Sequence, residues 1–309
     1  LERSRRAAKL PGAIKVNGAD LMSLAVTREL EGLKRWVGRQ DAFADVLLAQ
    51  HVAGLAATLD RDDPFPQPGE AAPAGAHWLI RPRWLPAREL GPDGHPQRGG
   101  FMPPVPLPRR MWAGSRLAFT KPLRVGDSVE RRSEIVEVAI KEGRAGTLVF
   151  VKARHQYHGA DGLAVTEDQD IVYREAPDPS RPAPPPERAP ADGPWRRQVT
   201  PDAVMLFRYS ALTYNGHRIH YDHPYVTKVE GYPGLVVHGP LLASLLLDLV
   251  RREAGTRPLS SFTFRAMAPV FDVAPFTVTG GPGADGREAS VWIRRADGGL
   301  AMRAEARFG

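Results

Sequence analysis

Between Arg208 and Arg252 the chain reads RYSALTYNGHRIHYDHPYVTKVEGYPGLVVHGPLLASLLLDLVRR, and four of its nine histidines, His217, His220, His223 and His238, fall inside that stretch. Imidazole is the side chain best able to take up and return a proton near neutrality. Asn215, His217 and His220 follow one another closely enough that a hydrogen-bonded pair of them can hold a water molecule. The plainer alternative is that one of these imidazoles only bonds a backbone carbonyl. Downstream, His238-Gly239-Pro240 opens an apolar run. Proline suits the first turn of a helix, and glycine lets a ligand approach the backbone. Unpaired N–H groups at such a helix start bind an oxyanion or polarise a carbonyl, at about 3 kcal/mol per donor in known enzymes.

Two rival chemistries are weaker. His217, His220 and His223 recur at three-residue intervals beside Asp222, as metal ligands can, but such spacing on a loop need not converge and no second ligand cluster follows, so no metal is expected. A serine hydrolase would need a G-x-S-x-G elbow, which is absent. With no cysteine anywhere, thiolate nucleophiles, disulfides and cysteine-bound zinc are excluded.

Something must hold the loop. Leu241 to Val250 is apolar on every face except for Ser244 and Asp248, so Gly239 to Arg252 is expected to be a helix buried inside a sheet. Sheet signals are plentiful: MWAGSRLAF, SVERRSEIVEVAIKEG, AGTLVFVKARHQYHG and LAVTEDQDIVYREA before the loop, then LSSFTFRAMAPV, APFTVTGGPG, REASVWIRRAD and LAMRAEARF after the helix, separated by glycine turns. HWLIRPRWL (residues 77–85) reads as an edge strand broken by Pro82. Residues 25–36 and 41–59 read as helices from three- and four-residue apolar spacing. The two halves repeat an order of elements, and 117–127 resembles 264–274 around Pro122 and Pro269, as a duplicated domain would. The fold expectation is α+β, with antiparallel sheets wrapped around helices.

At 309 residues two domains are the default. We place a disordered leader at 1–21, an N-terminal domain at 22–176, a linker at 177–194 carrying eight prolines, and a C-terminal domain at 195–309. Residues 90–108, rich in Pro and Gly, are too rigid for helix and too long for a turn, which marks a functional loop. The net charge of +7 is partly concentrated in residues 1–21. The remainder suits an anionic small molecule and lacks the basic stripe of a nucleic-acid binder. No apolar run is long enough to span a membrane, and a cytoplasmic protein is expected.

The stretch SALTYNGHRIHYDHPYV followed by GLVVHGPLLASLLLDL resembles the MaoC-like hydratase/dehydratase family, whose motif runs Asp-x-Asn-Pro-Ile-His-x-Asp. Ile219, His220 and Asp222 match it, whereas Asn215 stands where the family has its catalytic aspartate and His217 where it has asparagine. The form T-x-N-x-H-x-I-H-Y is similar to one branch, the type 2 hydroxyacyl-thioester dehydratases with the mesaconyl-C4-CoA and itaconyl-CoA hydratases. Residues 91–119 and 167–177 resemble that branch's N-terminal domain. The resemblance covers about residues 30–309 and implies a double hotdog fold with the catalytic motif only in the C-terminal half.

It also implies a hydro-lyase that adds water reversibly to 2-enoyl thioesters, with an acyl-CoA or acyl-carrier substrate, no cofactor, and a monomeric or homodimeric state. In that reading His220 is the base, Asn215 orients the water, His217 supports the geometry or shares proton transfer, and Gly239 N–H polarises the thioester carbonyl. Tyr214 and His238 are expected to bind substrate. Other readings are a 3-hydroxyacyl-thioester dehydratase of fatty-acid synthesis, a hotdog thioesterase and a non-catalytic acyl-carrier-binding module. A short dicarboxylic acyl group needs a cation for its free carboxylate, and Arg109 and Arg110 are the candidates. Neighbours on a strand face opposite ways, so at most one of them faces the site.

Overall fold

The computed structural model describes residues 29–309 except 82, 144–145, 177–184 and 256. The leader expected at 1–21 and the first part of the proline-rich linker lie outside the described residues. Residues 185–194 do not run free. Arg188 bridges Gly299, Leu300 donates to the Glu187 carbonyl at 2.7 Å, and Gly193 donates to the Thr279 hydroxyl at 3.0 Å.

Among the described residues, ten strands form one antiparallel sheet: β1 (Gln40–Val46), β2 (Arg109–Phe119), β3 (Ser128–Gly143), β4 (Gly146–Gly159), β5 (Gly162–Arg174), β6 (Trp195–Val199), β7 (Leu259–Ala266), β8 (Phe276–Pro282), β9 (Glu288–Arg295) and β10 (Leu300–Phe308). Their order is β1-β3-β4-β5-β2-β7-β10-β9-β8-β6. Read inward from either end, the halves have the same order, which is the internal repeat expected from Pro122 and Pro269. They meet where β2 pairs antiparallel with β7, from Gly114 opposite Arg265 to Ala118 opposite Ser261. Gly114 permits that approach, because a Cβ there would lie 2.3 Å from the Phe264 carbonyl oxygen.

The helices divide unequally. Among the described residues, the C-terminal half has α2 (Ala203–Thr213), α3 (His223–Lys228) and the 16-residue α4 (Gly239–Ala254), while the N-terminal half has the ten-residue α1 (Ala49–Thr58), helical residues at 29–32 and short 3-10 turns. Helix α4 packs against β6, β8, β9 and β10, and every residue from Leu241 to Val250 is buried. Its one buried charge, Asp248, is matched by Arg61 at 2.9 Å, Arg197 at 3.0 Å and Arg252 at 2.7 Å, as a buried carboxylate requires. Arg61 comes from the N-terminal half, so this network also ties the halves together.

Two expectations are corrected. Residues 41–46 form β1 rather than the start of a helix, because their burial alternates along the strand and they pair with β3 from Gln40 opposite Glu134 to Val46 opposite Ser128. The described residues within 77–85 are not a strand. Ala76–Leu79 is a 3-10 turn that buries His77 and Leu79, reached through Gly75 at φ 94°.

Candidate active site

Helix α2 delivers the histidine loop. Asp202 caps its start by accepting from the Met205 N–H at 2.7 Å, and Tyr214 ends it in a left-handed conformation, φ 51°. The chain then turns. Asn215 N–H donates to the Ser210 carbonyl at 2.9 Å, and Asn215 Oδ1 accepts from His217 N–H at 3.0 Å. A 3-10 turn, Arg218–His220, follows. Asp222 accepts from the Tyr225 N–H, capping α3, and pairs with Arg218 at 2.7 Å, so the motif's last acid serves the scaffold.

His220 is 6% exposed. Its Nδ1 lies 2.7 Å from the Val236 carbonyl, which accepts only if Nδ1 carries the proton, so Nε2 keeps its lone pair. Burial, only partly offset by that carbonyl, lowers its pKa to about 4, so the ring is neutral at pH 7. It stacks on His238 with ring centres 3.7 Å apart and meets His217 edge-on at 5.3 Å. His238 corrects an expectation. It is fully buried, with Nε2 2.8 Å from the Ser210 hydroxyl, and forms a wall behind His220 instead of a substrate contact. Gly239 begins α4 directly after it. As a first-turn group, the Gly239 N–H has no intrahelical partner.

A cavity of about 630 Å³ opens beside this loop. Tyr214, Asn215 and Pro240 line it from the C-terminal half, and His95, Arg110 and Trp112 from the N-terminal half. Of the two candidate arginines, Arg110 lines the cavity. Arg109 is corrected, because it is ion-paired with Glu230 and also donates to the Glu230 carbonyl at 2.8 Å. Deeper in the wall, Glu167 is buried, accepting from Ser115 at 2.6 Å and Trp78 at 3.2 Å. Burial alone would raise its pKa, but the His77 imidazole, with Nε2 3.6 Å away, the neighbouring His155 and the Ser115 hydrogen bond hold it down to about 2. A second cavity, about 510 Å³, lies toward the far end of α4, lined by Leu55, Phe119 and Leu247, and takes no residue from the histidine loop.

The His217 and His220 rings meet edge-on, whereas His223 is exposed at the start of α3, so the three-residue spacing does not gather a ligand set. What the sequence reading missed is His95. The loop carrying it docks on the histidine loop: Arg218 N–H donates to the Asp93 carbonyl at 2.9 Å, and the Arg218 guanidinium donates to the Pro92 carbonyl at 3.0 Å. The His95 and His217 rings lie 4.0 Å apart. The only signal was the length and rigidity of residues 90–108; the contact joins positions more than 120 residues apart.

Comparison with known proteins agrees with this architecture. The family model for hydroxyacyl-thioester dehydratase type 2 matches residues 75–272. The chain is 45% identical over 276 residues to a mesaconyl-C(4)-CoA hydratase of Chloroflexus aurantiacus, covering 89% of this chain and 97% of that protein. It is 27% identical over 230 residues to the mitochondrial hydroxyacyl-thioester dehydratase type 2 of Schizosaccharomyces pombe, covering 66% of this chain and 76% of the relative. Among solved structures, HtdX of Mycobacterium tuberculosis superposes with a TM-score of 0.61 at 17% identity, covering 86% of this chain and 98% of that one. A second M. tuberculosis protein, described as a double hotdog, has a TM-score of 0.54 at 16% identity, covering 88% of this chain and 96% of that one. These two share the fold alone. With a family model over most of the chain and a 45% identical relative along nearly its full length, this double-hotdog chain belongs to the hydroxyacyl-thioester dehydratase type 2 family, within the MaoC-like hydratases and dehydratases.

Proposed function

We propose that the protein is an acyl-CoA hydratase/dehydratase, a carbon–oxygen lyase that adds water reversibly across the double bond of a 2-enoyl thioester. Its substrate in this reading is a short dicarboxylic acyl-CoA of the mesaconyl-C4 type. The observation that carries the reading is a neutral imidazole, His220, with Nδ1–H fixed on a carbonyl and Nε2 free, beside a cavity that ends at the start of a buried helix.

Each residue has a task in that reaction. Gly239 N–H polarises the thioester carbonyl as negative charge moves onto it. His220 takes a proton from water while the oxygen attacks the β-carbon. The Asn215 oxygen is held by His217 N–H, which leaves its amide N–H groups to orient that water. Tyr214, tilted against Trp84 with ring centres 4.2 Å apart, lines the cavity. Residues 22–176 then supply most of the acyl cavity and residues 195–309 the base.

The acyl group follows from Arg110. In a mesaconyl-C4 thioester the free carboxylate is one bond from the carbon that water attacks, so its cation must stand beside the histidines. Arg110 does: it is among the charges that depress His95 and His217, after burial itself. An unbranched enoyl chain gives this guanidinium nothing to bind.

The test follows enoyl-thioester absorbance and free thiol together, with mesaconyl-C4-CoA, crotonyl-CoA and a long-chain enoyl-CoA. Loss of absorbance without thiol release is expected, fastest for mesaconyl-C4-CoA. Arg110→Met is expected to raise KM for that substrate about 10- to 100-fold, the worth of a charged hydrogen-bond pair, and to spare crotonyl-CoA. Thiol release would indicate a thioesterase, and fastest turnover of the long chain would sink the dicarboxylate assignment.

A further inference from the structure

A hydratase must take a proton from water and deliver one to the α-carbon. In this chain Asn215 stands where the MaoC-like motif has an acid, and an amide neither accepts nor supplies that second proton. The described residues around the loop nevertheless contain a carboxylate–imidazole pair, and it comes from the other half of the molecule.

Asp93 and His95 flank Gly94 on the loop that docks against the histidine loop. Asp93 Oδ2 lies 3.2 Å from His95 Nδ1, and Asp93 Oδ1 accepts from the His95 backbone N–H at 3.0 Å. The carboxylate thus fixes both the backbone and the ring, with Nδ1 as the protonated nitrogen and Nε2 turned away from it. His95 lines the acyl cavity, whereas His217 and His220 are not part of its lining. His217 lies between them, 4.0 Å from the His95 ring and 5.3 Å from the His220 ring. Gly94 makes the docking specific: at φ 85°, a Cβ there would lie 1.9 Å from the Gly216 carbonyl oxygen.

We propose that His95 is the second catalytic residue of the site, with Asp93 as its positioning residue, and that the pair replaces in trans the carboxylate missing at Asn215. The inference rests on the hydratase reading and assigns its other half-reaction. Water loses a proton to His220 Nε2 as its oxygen bonds the β-carbon, and the double-bond electrons move to the α-carbon and thioester carbonyl. His220 returns its proton to solvent, and His95, protonated from solvent, has its cationic form matched by the Asp93 carboxylate. His95 then protonates the α-carbon. An O–H bond is broken, a C–O and a C–H bond are formed, and both imidazoles end neutral.

The experiment compares the full chain with His95→Gln, His95→Ala and Asp93→Asn. Wild type is first assayed with mesaconyl-C4-CoA and crotonyl-CoA. His95→Gln is expected to lower kcat about 100-fold or more, the usual worth of one acid–base group, with KM within about threefold. Exogenous imidazole should restore part of the His95→Ala rate, which it would not do for a merely structural residue. Turnover of His95→Gln within about threefold of wild type would overturn the proposal. So would a stoichiometric divalent ion present in wild type and lost in His95→Ala, since donor atoms of Asp93, His95 and His217 lie within 4.8 Å of one another. If wild type hydrates no enoyl thioester, the hydratase reading itself fails. The pair is still read by nitrogen-15 NMR, where a hydrogen-bonded Nδ1–H of His95 should vanish in Asp93→Asn, and its absence from wild type would overturn the pairing.

Discussion

The two halves of the sheet share one strand order but use it differently. In the C-terminal half a 16-residue helix fills the sheet, with every position from Leu241 to Val250 buried. In the N-terminal half the helix after β1 is cut to ten residues, and much of the chain between it and β2 is irregular. Filling the sheet gives rigidity, which a base on a fixed tautomer needs. Leaving it unfilled gives room, and the acyl cavity takes Arg110, Trp112 and Glu167 from that half. In the proposed reading, one copy holds the base while the other serves as container and supplies the Asp93–His95 pair.

The sharpest way to break that division is at its base. His220→Ala is expected to lower kcat about 1,000-fold with little loss of stability, checked by turnover of mesaconyl-C4-CoA and by thermal melting. A small loss would move the base out of the C-terminal half.

A second change breaks the contact between the halves. Gly94→Ala puts a methyl group against the Gly216 carbonyl oxygen and forces alanine to φ 85°. It should cost about 1–3 kcal/mol and displace Asp93 and His95, lowering both melting temperature and kcat. Gly99→Ala is the control. Gly99 has φ 93°, but its nearest neighbour for a Cβ is Pro104 at 3.7 Å, so the variant should show the backbone cost without the loss in kcat.

The smallest effect compares titration in the halves. His155, buried in the N-terminal sheet, has its pKa lowered from 6.5 to about 3 by burial and by Arg131; His220 is lowered to about 4. Both are neutral in the folded chain and charged when unfolded below pH 6.5. The unfolded state therefore binds more protons as pH falls, and stability drops from pH 6.5 down to about 3 for His155 and about 4 for His220. Between pH 6.5 and 5, His155→Gln should remove up to about 2 kcal/mol of that loss, measured by denaturant melts at the two pH values. Hydration by wild type should hold from pH 7 to about 5 and fall toward 4 as His220 becomes charged.

Much of this was legible in the sequence because local rules set it. Period-two burial and glycine turns bound β3 and β10 to the residue, and strand alternation separated Arg110 from Arg109. The misreadings share a cause. Phe43, Val46 and Leu47 fit a helical stripe as well as a strand, and only pairing with β3 decides between them. His238 looked like a ligand contact until α2 brought Ser210 against it. Asp93 and His95 depend on a loop docking across the molecule, which no local pattern encodes.

The β2–β7 seam has a further consequence. A free five-stranded half would expose two edge strands, and its inner edge would be the long one, 11 residues in β2 or 8 in β7. Such edges recruit other chains. By spending both inner edges on each other, the halves leave only β1 and β6 as outer edges among the described strands, 7 and 5 residues long. The same pairing that joins container to chemistry therefore also protects the chain from self-templated aggregation.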